Sequence, residues 1–399
     1  MFNKIEDAIK AIGSGGFVVV LDDEDRENEG DLVIAAEKVT PEAVNFMMKE
    51  GRGLICVPVS SEIADRLNFY PMVEENKEVH RCDFTVSVDY RHETTTGISA
   101  SDRAKTIFAI SGVDSLAKDF VRPGHIFPLR AKDGGVLVRA GHTEASVDLA
   151  KLAGLSPAAS ICEITRDDGE MMRRDELIEF AKKHKFPIIT IKDLIFYRRK
   201  KEKLVEFVAE ANLPTEFGDF LMKVYVDNLH GKEHIALIKG KIDNEKGVLL
   251  RVQSECVTGE VFKSLKCDCG NQLEYALKKI STEGDGVVLY VRQEGRGIGL
   301  ANKIKAYALQ EQGFDTVEAN EKLGLPSDLR DYGIGAQILA DLGIKNIRLM
   351  TNNPTKVVGL EAYGIKILER LPIEVPFNDK SVSYMKTKKY KMGHILKHV

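Results

Sequence analysis

The chain has no apolar run approaching the roughly 20 residues that a bilayer span requires, so it is not expected to cross a membrane. Its opening stretch, MFNKIEDAIKAIGSGG, carries two acidic residues and no long apolar core, which argues against a secretory leader. The cytoplasm is the expected location. Cysteine is scarce, six residues in 399, and in a reducing compartment disulfides are not expected. Charge of one sign is not in excess. The net value of -4 gives no global attraction to nucleic acid or to an anionic membrane. Repeats of solenoid length and low-complexity tracts are absent too. What remains is 43% hydrophobic and 30% charged, the make-up of an ordinary globular enzyme or binding protein. At 399 residues it is longer than one core usually serves, so two domains of roughly 200 residues each are expected.

The strongest boundary signal is FYRRKKEKLVEFVAE, with Arg198, Arg199, Lys200, Lys201 and Lys203. A solvated linker or helix face explains it more simply than a nucleic-acid patch. It divides the chain into domains 1–199 and 200–399. Each half alternates short apolar runs with amphipathic segments, which predicts two mixed α/β-layered domains in tandem, of α/β and α+β character. In IEDAIKAIGSGG, Ile5, Ala8, Ile9 and Ile12 share a helical face. FVVVLDD reads as a buried strand. TPEAVNFMMKEG reads as a helix with Thr40 as N-cap, Pro41 in the first turn and Gly51 at its end. In the second half GVVLYVRQ and NIRLMTNN read as strands, and ANKIKAYALQEQG as a helix.

The first half holds an acidic loop between two apolar strands, DDEDRENEGD. Seven carboxylates, Asp22, Asp23, Glu24, Asp25, Glu27, Glu29 and Asp31, fall within its ten positions. Such a loop at a sheet end can be a solvated turn or a site for a hard divalent cation. RPGHIFPLR sets His125 among glycine and prolines, which predicts a rigid loop. RAGHTEASVDLAKLAG sets Arg139, Gly141, His142 and Thr143 at a helix start, an arrangement suited to phosphate. Each histidine alone is more simply a structural residue. Glu163, in ICEIT, is a carboxylate in an apolar strand and a candidate general acid or base.

Together DDEDRENEGD, TTTGISASDRAKT, RPGHIFPLRA and RAGHTEA resemble the 3,4-dihydroxy-2-butanone 4-phosphate synthase family, over essentially residues 1–199. The resemblance implies conversion of ribulose 5-phosphate to a four-carbon ketone phosphate and formate. It implies two Mg²⁺ or Mn²⁺ ions with Glu27 and His142 as ligands. It places substrate contacts at Arg26, Glu27, Asp31, Arg139, Ala140, Gly141, His142, Thr143 and Glu163. His125 and Glu163 take the acid/base positions.

The second half clusters Cys256, Cys267 and Cys269 in SECVTGEVFKSLKCDCG. This is not the paired CxxC of zinc ribbons. Three thiolates with an open position suit a catalytic zinc. A fourth ligand from His230, His234, His394 or His398 would make the site structural, and on spacing alone structural zinc and inert thiols stay open. In YVRQEGRGIGLANKIKAYALQ the glycine spacing is GxGxG, and Glu294 and Arg296 stand where a dinucleotide loop needs small groups. A Rossmann loop is therefore disfavoured, although the helix start can take an anion. Asp328 and Arg330 flank a turn in LGLPSDLRDYGIGAQIL, where a cap and a surface ion pair are the plain reading. Thr351 and Lys356 surround a helix start in TNNPTKVVGLEAYG, again a phosphate-friendly pattern.

RVQSEC, KCDCG, RQEGRGIGL, DTVEAN, DLRDYGIGAQIL and LMTNNPTK, in that order, closely resemble the GTP cyclohydrolase II family, from about residue 206 to about 394. The whole chain thus looks like a fusion of two enzymes of riboflavin biosynthesis. The resemblance implies a zinc ion on Cys256, Cys267 and Cys269 for hydrolytic opening of the guanine imidazole ring, with release of formate and pyrophosphate. Arg330 takes the nucleophile position, Asp328 the proton acceptor, and Tyr307 a role near the ring. GTP contacts fall on Arg251, Val252, Gln253, Ser254, Glu255, Gln272, Glu294, Gly295, Arg296, Thr316, Thr351 and Lys356, with Mg²⁺ on the triphosphate. A guanidinium stays protonated and is a poor nucleophile, so electrostatic stabilisation of the phosphate is the alternative for Arg330. Two positions depart from the family, which commonly has His at Gln253 and Arg at Lys266. Small-molecule substrates and a homodimer are expected, with neither nucleic acid nor membrane as partner. Two rival readings are a nucleic-acid-binding protein with a structural zinc module, using the basic run near residue 200 and the basic tail KTKKYKMGHILKHV, and a chain with only one domain catalytically active.

Overall fold

Val18–Leu21 and Gly30–Ala35 are buried at every position, so both faces of the sheet they build are covered. The period-two geometry of a strand separates their side chains. Val18 and Val20 enter one apolar cluster, and Val19 and Leu21 enter another on the opposite face. A computed structural model gives the structure; it describes residues 2–396 apart from 25, 79, 81, 326–331, 354–359, 362, 377, 379–380 and 392. The chain divides into the units Met1–Glu202 and Lys203–Val399. Each is a seven-stranded mixed sheet flanked by helices, the tandem of mixed α/β layers predicted from sequence.

The first unit contains strands β1 (Val18–Leu21), β2 (Gly30–Ala35), β3 (Cys56–Val59), β4 (Val88–Tyr90), β5 (Phe120–Arg130), β6 (Ala159–Glu163) and β7 (Ile188–Thr190). Their order is β4-β5-β3-β6-β2-β1-β7. β1 and β2 are antiparallel, and so are β2 and β6, whose register sets Asp31 opposite Glu163. The acidic loop, the start of β2 and the end of β6 therefore meet at one end of the sheet.

Three local expectations are corrected. RPGHIFPLR is not a loop but part of β5. Its pairing with β4 is irregular: Val88 faces Ile126 while Asp89 faces Val121. Residues 122–125 bow out of the ladder with β4, so Pro123 is tolerated and His125 stands clear of that pairing. The helix Pro41–Phe46 starts as expected, with Thr40 Oγ1 accepting from Ala43 N at 3.2 Å. It then widens into a π turn, Met47–Gly51, and Arg52 rather than the glycine takes the left-handed position, φ 70°. Finally, the basic run is not all solvated. Arg198, in the helix Ile191–Lys201, donates to Asp148 Oδ2 at 2.6 Å, to Gly134 O at 2.8 Å and to both oxygens of Glu202.

The second unit contains β8 (Val205–Thr215), β9 (Gly218–Asp227), β10 (Glu233–Lys239), β11 (Val248–Ser254), β12 (Gly286–Val291), β13 (Asn346–Met350) and β14 (Lys366–Leu371). Their order is β14-β13-β11-β12-β10-β9-β8. β8, β9 and β10 form an antiparallel meander, while β12, β11, β13 and β14 run parallel. Ala276, Leu277 and Ile280 of the helix Cys269–Glu283 pack on Leu249 and Val288 of the parallel half. Parallel strands place all their carboxyl ends on one side, where ligands tend to bind. Among the described residues no helix is long and apolar enough to cross a membrane.

Candidate active sites

In the first unit, Asp22 organises the acidic loop. Its carboxylate accepts from Glu29 N at 2.9 Å, Glu27 N at 3.1 Å and Arg26 Nη1 at 2.8 Å. Arg26 also reaches Glu27 at 2.9 Å, and Arg173 donates to the carbonyls of Glu27 and Asn28. These donors compensate the crowded negative charge that the sequence displays. Ligand atoms of Asp22, Glu27 and His142 all lie within 4.8 Å of one another. His142 is buried at the start of the helix His142–Leu152. Its Nε2–H donates to Val20 O at 3.1 Å, which leaves Nδ1 facing Glu27 at 3.8 Å and Asp31 at 4.0 Å. A ring fixed by a backbone carbonyl, with its other nitrogen among carboxylates, fits a hard divalent cation.

The electrostatics agree with this. Burial works against a charged His142, but Asp31, Glu27 and Asp22 outweigh it and raise its pKa to about 9. Burial raises Asp31 to about 7 despite His142. Burial also opposes ionisation of Glu27, yet the neighbouring His142 and Arg26 lower it to about 2. The cluster thus carries a proton that a cation would displace. Glu163, cross-strand from Asp31, accepts from Leu54 N at 2.7 Å.

Sequence reasoning missed the partner of His125. Asp89 accepts from His125 N at 2.9 Å and, through Oδ2, from the ring Nδ1–H at 2.7 Å. That bond fixes the tautomer and frees Nε2 as a proton acceptor. Gly97, in the TTTG motif, adopts φ +93°, and a Cβ there would strike Asp89 Oδ2 and lie 2.7 Å from His125 Nδ1. Glycine at 97 was the available signal. Arg139 is engaged by Glu144 at 2.6 Å and His80 O at 3.0 Å, Thr143 lies 3.6 Å from Cys82 Sγ, and Ala140 is exposed.

In the second unit β11, β12 and β13 end beside one pocket, reached through Cys256, Glu294 and Thr351. Cys256, Cys267 and Cys269 converge within 4.8 Å, with Cys256 and Cys267 sulfurs 3.7 Å apart. Gly259 lies against two of them: a Cβ there would be 2.7 Å from Cys267 Sγ and 3.2 Å from Cys256 Sγ. Hydrogen bonds from the Cys267 and Cys269 thiols, then the Lys303 ammonium, hold Cys256 far below the usual thiol range. The bond to Cys256 pushes Cys267 up to about 11. Soft donors with thiolate character fit zinc. Among the described residues the cluster has three members. His234 is tied to Asp227 at 3.0 Å and accepts from Arg292 N at 3.1 Å, while His398 lies outside the described residues.

Lys303 bridges Cys256 Sγ (3.2 Å), Thr258 Oγ1 (2.9 Å) and Glu294 Oε1 (2.8 Å). Tyr307, one turn on, approaches Thr258 Oγ1 at 3.4 Å, and Lys266 lies over its ring at 4.8 Å. Arg251, Gln253, Ser254, Glu255, Gln272, Glu294, Gly295, Arg296, Thr316 and Thr351 line this same pocket. Val252 is out of phase with its neighbours and buried in the core. Several of the lining groups are already engaged. Arg251 donates to Gln253, Gln272 and Met350 O, and Gln253 donates onward to Glu260 at 2.7 Å. In contrast, Arg296 Nη1 is buried without a hydrogen-bond partner. Asp328, Arg330 and Lys356 lie outside the described residues. The sequence reading did not place Lys303, Tyr384 or Lys388 at the pocket; the basic tail entered it only as a rival nucleic-acid surface.

A family model described as 3,4-dihydroxy-2-butanone 4-phosphate synthase matches residues 6–197, and one described as GTP cyclohydrolase II matches residues 206–372. The riboflavin biosynthesis protein RibBA of Bacillus subtilis (strain 168) is 57% identical over 397 residues, which cover 99% of this chain and 100% of that protein. RibBA of Aquifex aeolicus (strain VF5) is 58% identical over 397 residues, covering 99% and 98%. Among solved structures, RibBX of A. baumannii, described as a two domain 3,4-dihydroxy-2-butanone 4-phosphate synthase, matches with TM-score 0.72 and 36% identity, over 92% of this chain and 99% of its own.

Proposed function

Because the chain belongs over residues 6–197 to the 3,4-dihydroxy-2-butanone 4-phosphate synthase family and over residues 206–372 to the GTP cyclohydrolase II family, we propose two separate active sites on one polypeptide. It is a bifunctional enzyme of riboflavin biosynthesis, a lyase and a hydrolase in tandem. The single observation that carries the assignment of sites is the contrast of donors: oxygen and imidazole in the first unit, three thiols in the second.

In the first site ribulose 5-phosphate loses one carbon as formate and leaves 3,4-dihydroxy-2-butanone 4-phosphate. Enolisation, dehydration and the skeletal shift build negative charge on sugar oxygens. Glu27 and His142, with Asp22 beside them, would hold Mg²⁺ or Mn²⁺, two ions in all, which supply electrostatic stabilisation of that charge. His125 moves a proton at Nε2 while Asp89 keeps Nδ1 protonated. Glu163 is the second acid/base, held by Leu54 N. Arg26, Asp31 and the run from Arg139 to Thr143 bind the substrate. The amides that start the helix at His142 have no side-chain cap and suit its phosphate.

In the second site GTP is hydrolysed to 2,5-diamino-6-(5-phosphoribosylamino)pyrimidin-4-one, formate and pyrophosphate. Cys256, Cys267 and Cys269 would hold Zn²⁺, a Lewis acid that activates water for ring opening. Lys303 keeps positive charge beside Cys256, and Tyr307 stands next to it. The free N–H of Arg296 is available to the nucleotide. Gln272, Glu294, Gly295, Thr316, Thr351 and Lys356 complete the GTP contacts, with Mg²⁺ on the triphosphate. Arg330 meets the α-phosphate and Asp328 accepts a proton. Gln253 serves where the family commonly has His by donating and accepting at once. Assembly as a homodimer is supported by β8, exposed along nearly its whole length with Phe207 and Val208 outward.

The test is formate release from each substrate alone, with pyrophosphate measured for GTP. Formate from both establishes the two sites. Formate from one restricts catalysis to that half, and from neither refutes the assignment.

A further inference from the structure

The family match of the second half ends at residue 372, yet the chain continues into a helix, Val382–Tyr390, that borders the pocket. Its Lys388 is buried and donates to Asp268 Oδ1 at 2.7 Å, between the ligand positions Cys267 and Cys269. Asp268 passes this on: Oδ2 accepts from Gln272 Nε2 at 2.7 Å, and Gln272 Oε1 accepts from Arg251 at 2.6 Å. Arg251 donates to Gln253, Gln253 to Glu260, and Glu260 accepts from Cys256 N at 3.1 Å. One unbroken chain of hydrogen bonds thus runs from the C-terminal helix to the first cysteine. The segment is fastened at two further points. Lys391 pairs with Asp315 and, at 3.0 Å, with Glu318, which cap the helix that begins at Thr316. Ile395 N donates to Asn352 O at 2.9 Å, next to Thr351.

We infer that the segment 382–396 is a working part of the GTP site: it ties together the cysteine loop, the Thr316 helix and the end of β13, and Lys388 is a positioning residue for the cysteines. This rests on the reading of the second half as the GTP site. A buried ion pair between two ligand positions holds geometry rather than adding net stability, since its desolvation offsets much of its Coulombic attraction. Partners of this kind, one layer behind the ligands, change metal affinity or activity by about 10- to 100-fold when removed.

The experiment uses the full chain, its Lys388→Met and Lys388→Arg variants, and a chain ending at residue 381. Zinc per chain, GTP binding by equilibrium dialysis, and KM and kcat for formate release from GTP are measured. Formate release from ribulose 5-phosphate serves as the reference for the untouched half. Lys388→Met should lose about 10- to 100-fold in kcat/KM for GTP, or the same factor in zinc affinity. Lys388→Arg should recover most of it, and the first activity should stay constant. The shortened chain should bind GTP at least about tenfold more weakly. Wild-type zinc content, GTP binding and kinetics in both Lys388→Met and the shortened chain would overturn the inference. If the shortened chain does not fold, Lys388→Met alone decides. If the full chain turns over no GTP, the reading of the second half fails instead, and loss of zinc affinity in Lys388→Met still decides the positioning role.

Discussion

Replacing Asp89 with Asn leaves the volume of the side chain and the bond to His125 N in place, but it puts an amide beside Nδ1. In the wild-type chain Asp89 Oδ2 accepts from Nδ1–H at 2.7 Å, a bond to a charged group worth about 1.5–3 kcal/mol. At about 1.4 kcal/mol per factor of ten, that favours the tautomer with Nε2 unprotonated by roughly 10- to 150-fold. An Asn amide N–H donating to Nδ1 reverses the preference. The population able to take a proton at Nε2 then falls to a few per cent or less. The His125 side chain is 41% exposed, so water competes and the lower part of the range applies. We expect Asp89→Asn to lower kcat for formate release from ribulose 5-phosphate by about 10- to 30-fold, with KM changed less than about threefold. Formate release from GTP, measured on the same preparation, should be unchanged. A loss below about fivefold, or an equal loss in both activities, would refute the orienting role.

Gly97→Ala should disable the same dyad from the other side: its Cβ would strike Asp89 and its φ of +93° is strained, so at least a tenfold loss of the first activity is expected at a stability cost of about 1–3 kcal/mol. Arg198→Met leaves Asp148, 3% exposed, buried without its cation, and should cost about 3 kcal/mol, read as a fall of about 6–12 °C in the melting of the first unit. Burial holds His234 below its ordinary pKa, since it stays neutral to accept from Arg292 N and donate to Asp227. The unfolded state therefore binds more protons, and the stability His234 contributes is present above about pH 6.5 and lost as pH falls through its lower folded value. Urea midpoints for loss of GTP turnover should drop between pH 7 and 5.5, and a flat profile would contradict the assignment.

Much of the fold is written in local patterns. VVVL ahead of two aspartates reads as a buried strand, Thr40-Pro41 as a helix start, and three cysteines within fourteen residues as one cluster, because each depends on residues close in sequence. The errors arise where distant segments decide. His125 sits in a strand because β4 pairs around a bulge, and its partner Asp89 is 36 positions away. Asp22 looked like one more acid in a charged loop, yet it holds that loop through two backbone amides. The basic tail suggested at most a nucleic-acid surface, because nothing near Lys388 in sequence announces Asp268, 120 positions earlier. Gln253, a departure from the family pattern, gains its meaning only from Arg251 and Glu260 on either side of it.

The most direct test of two independent sites is Cys267→Ser, assayed for zinc and for both formate-releasing reactions. The account predicts loss of zinc and of GTP turnover with formate release from ribulose 5-phosphate unchanged; joint loss of both activities, or GTP turnover retained without zinc, would contradict it.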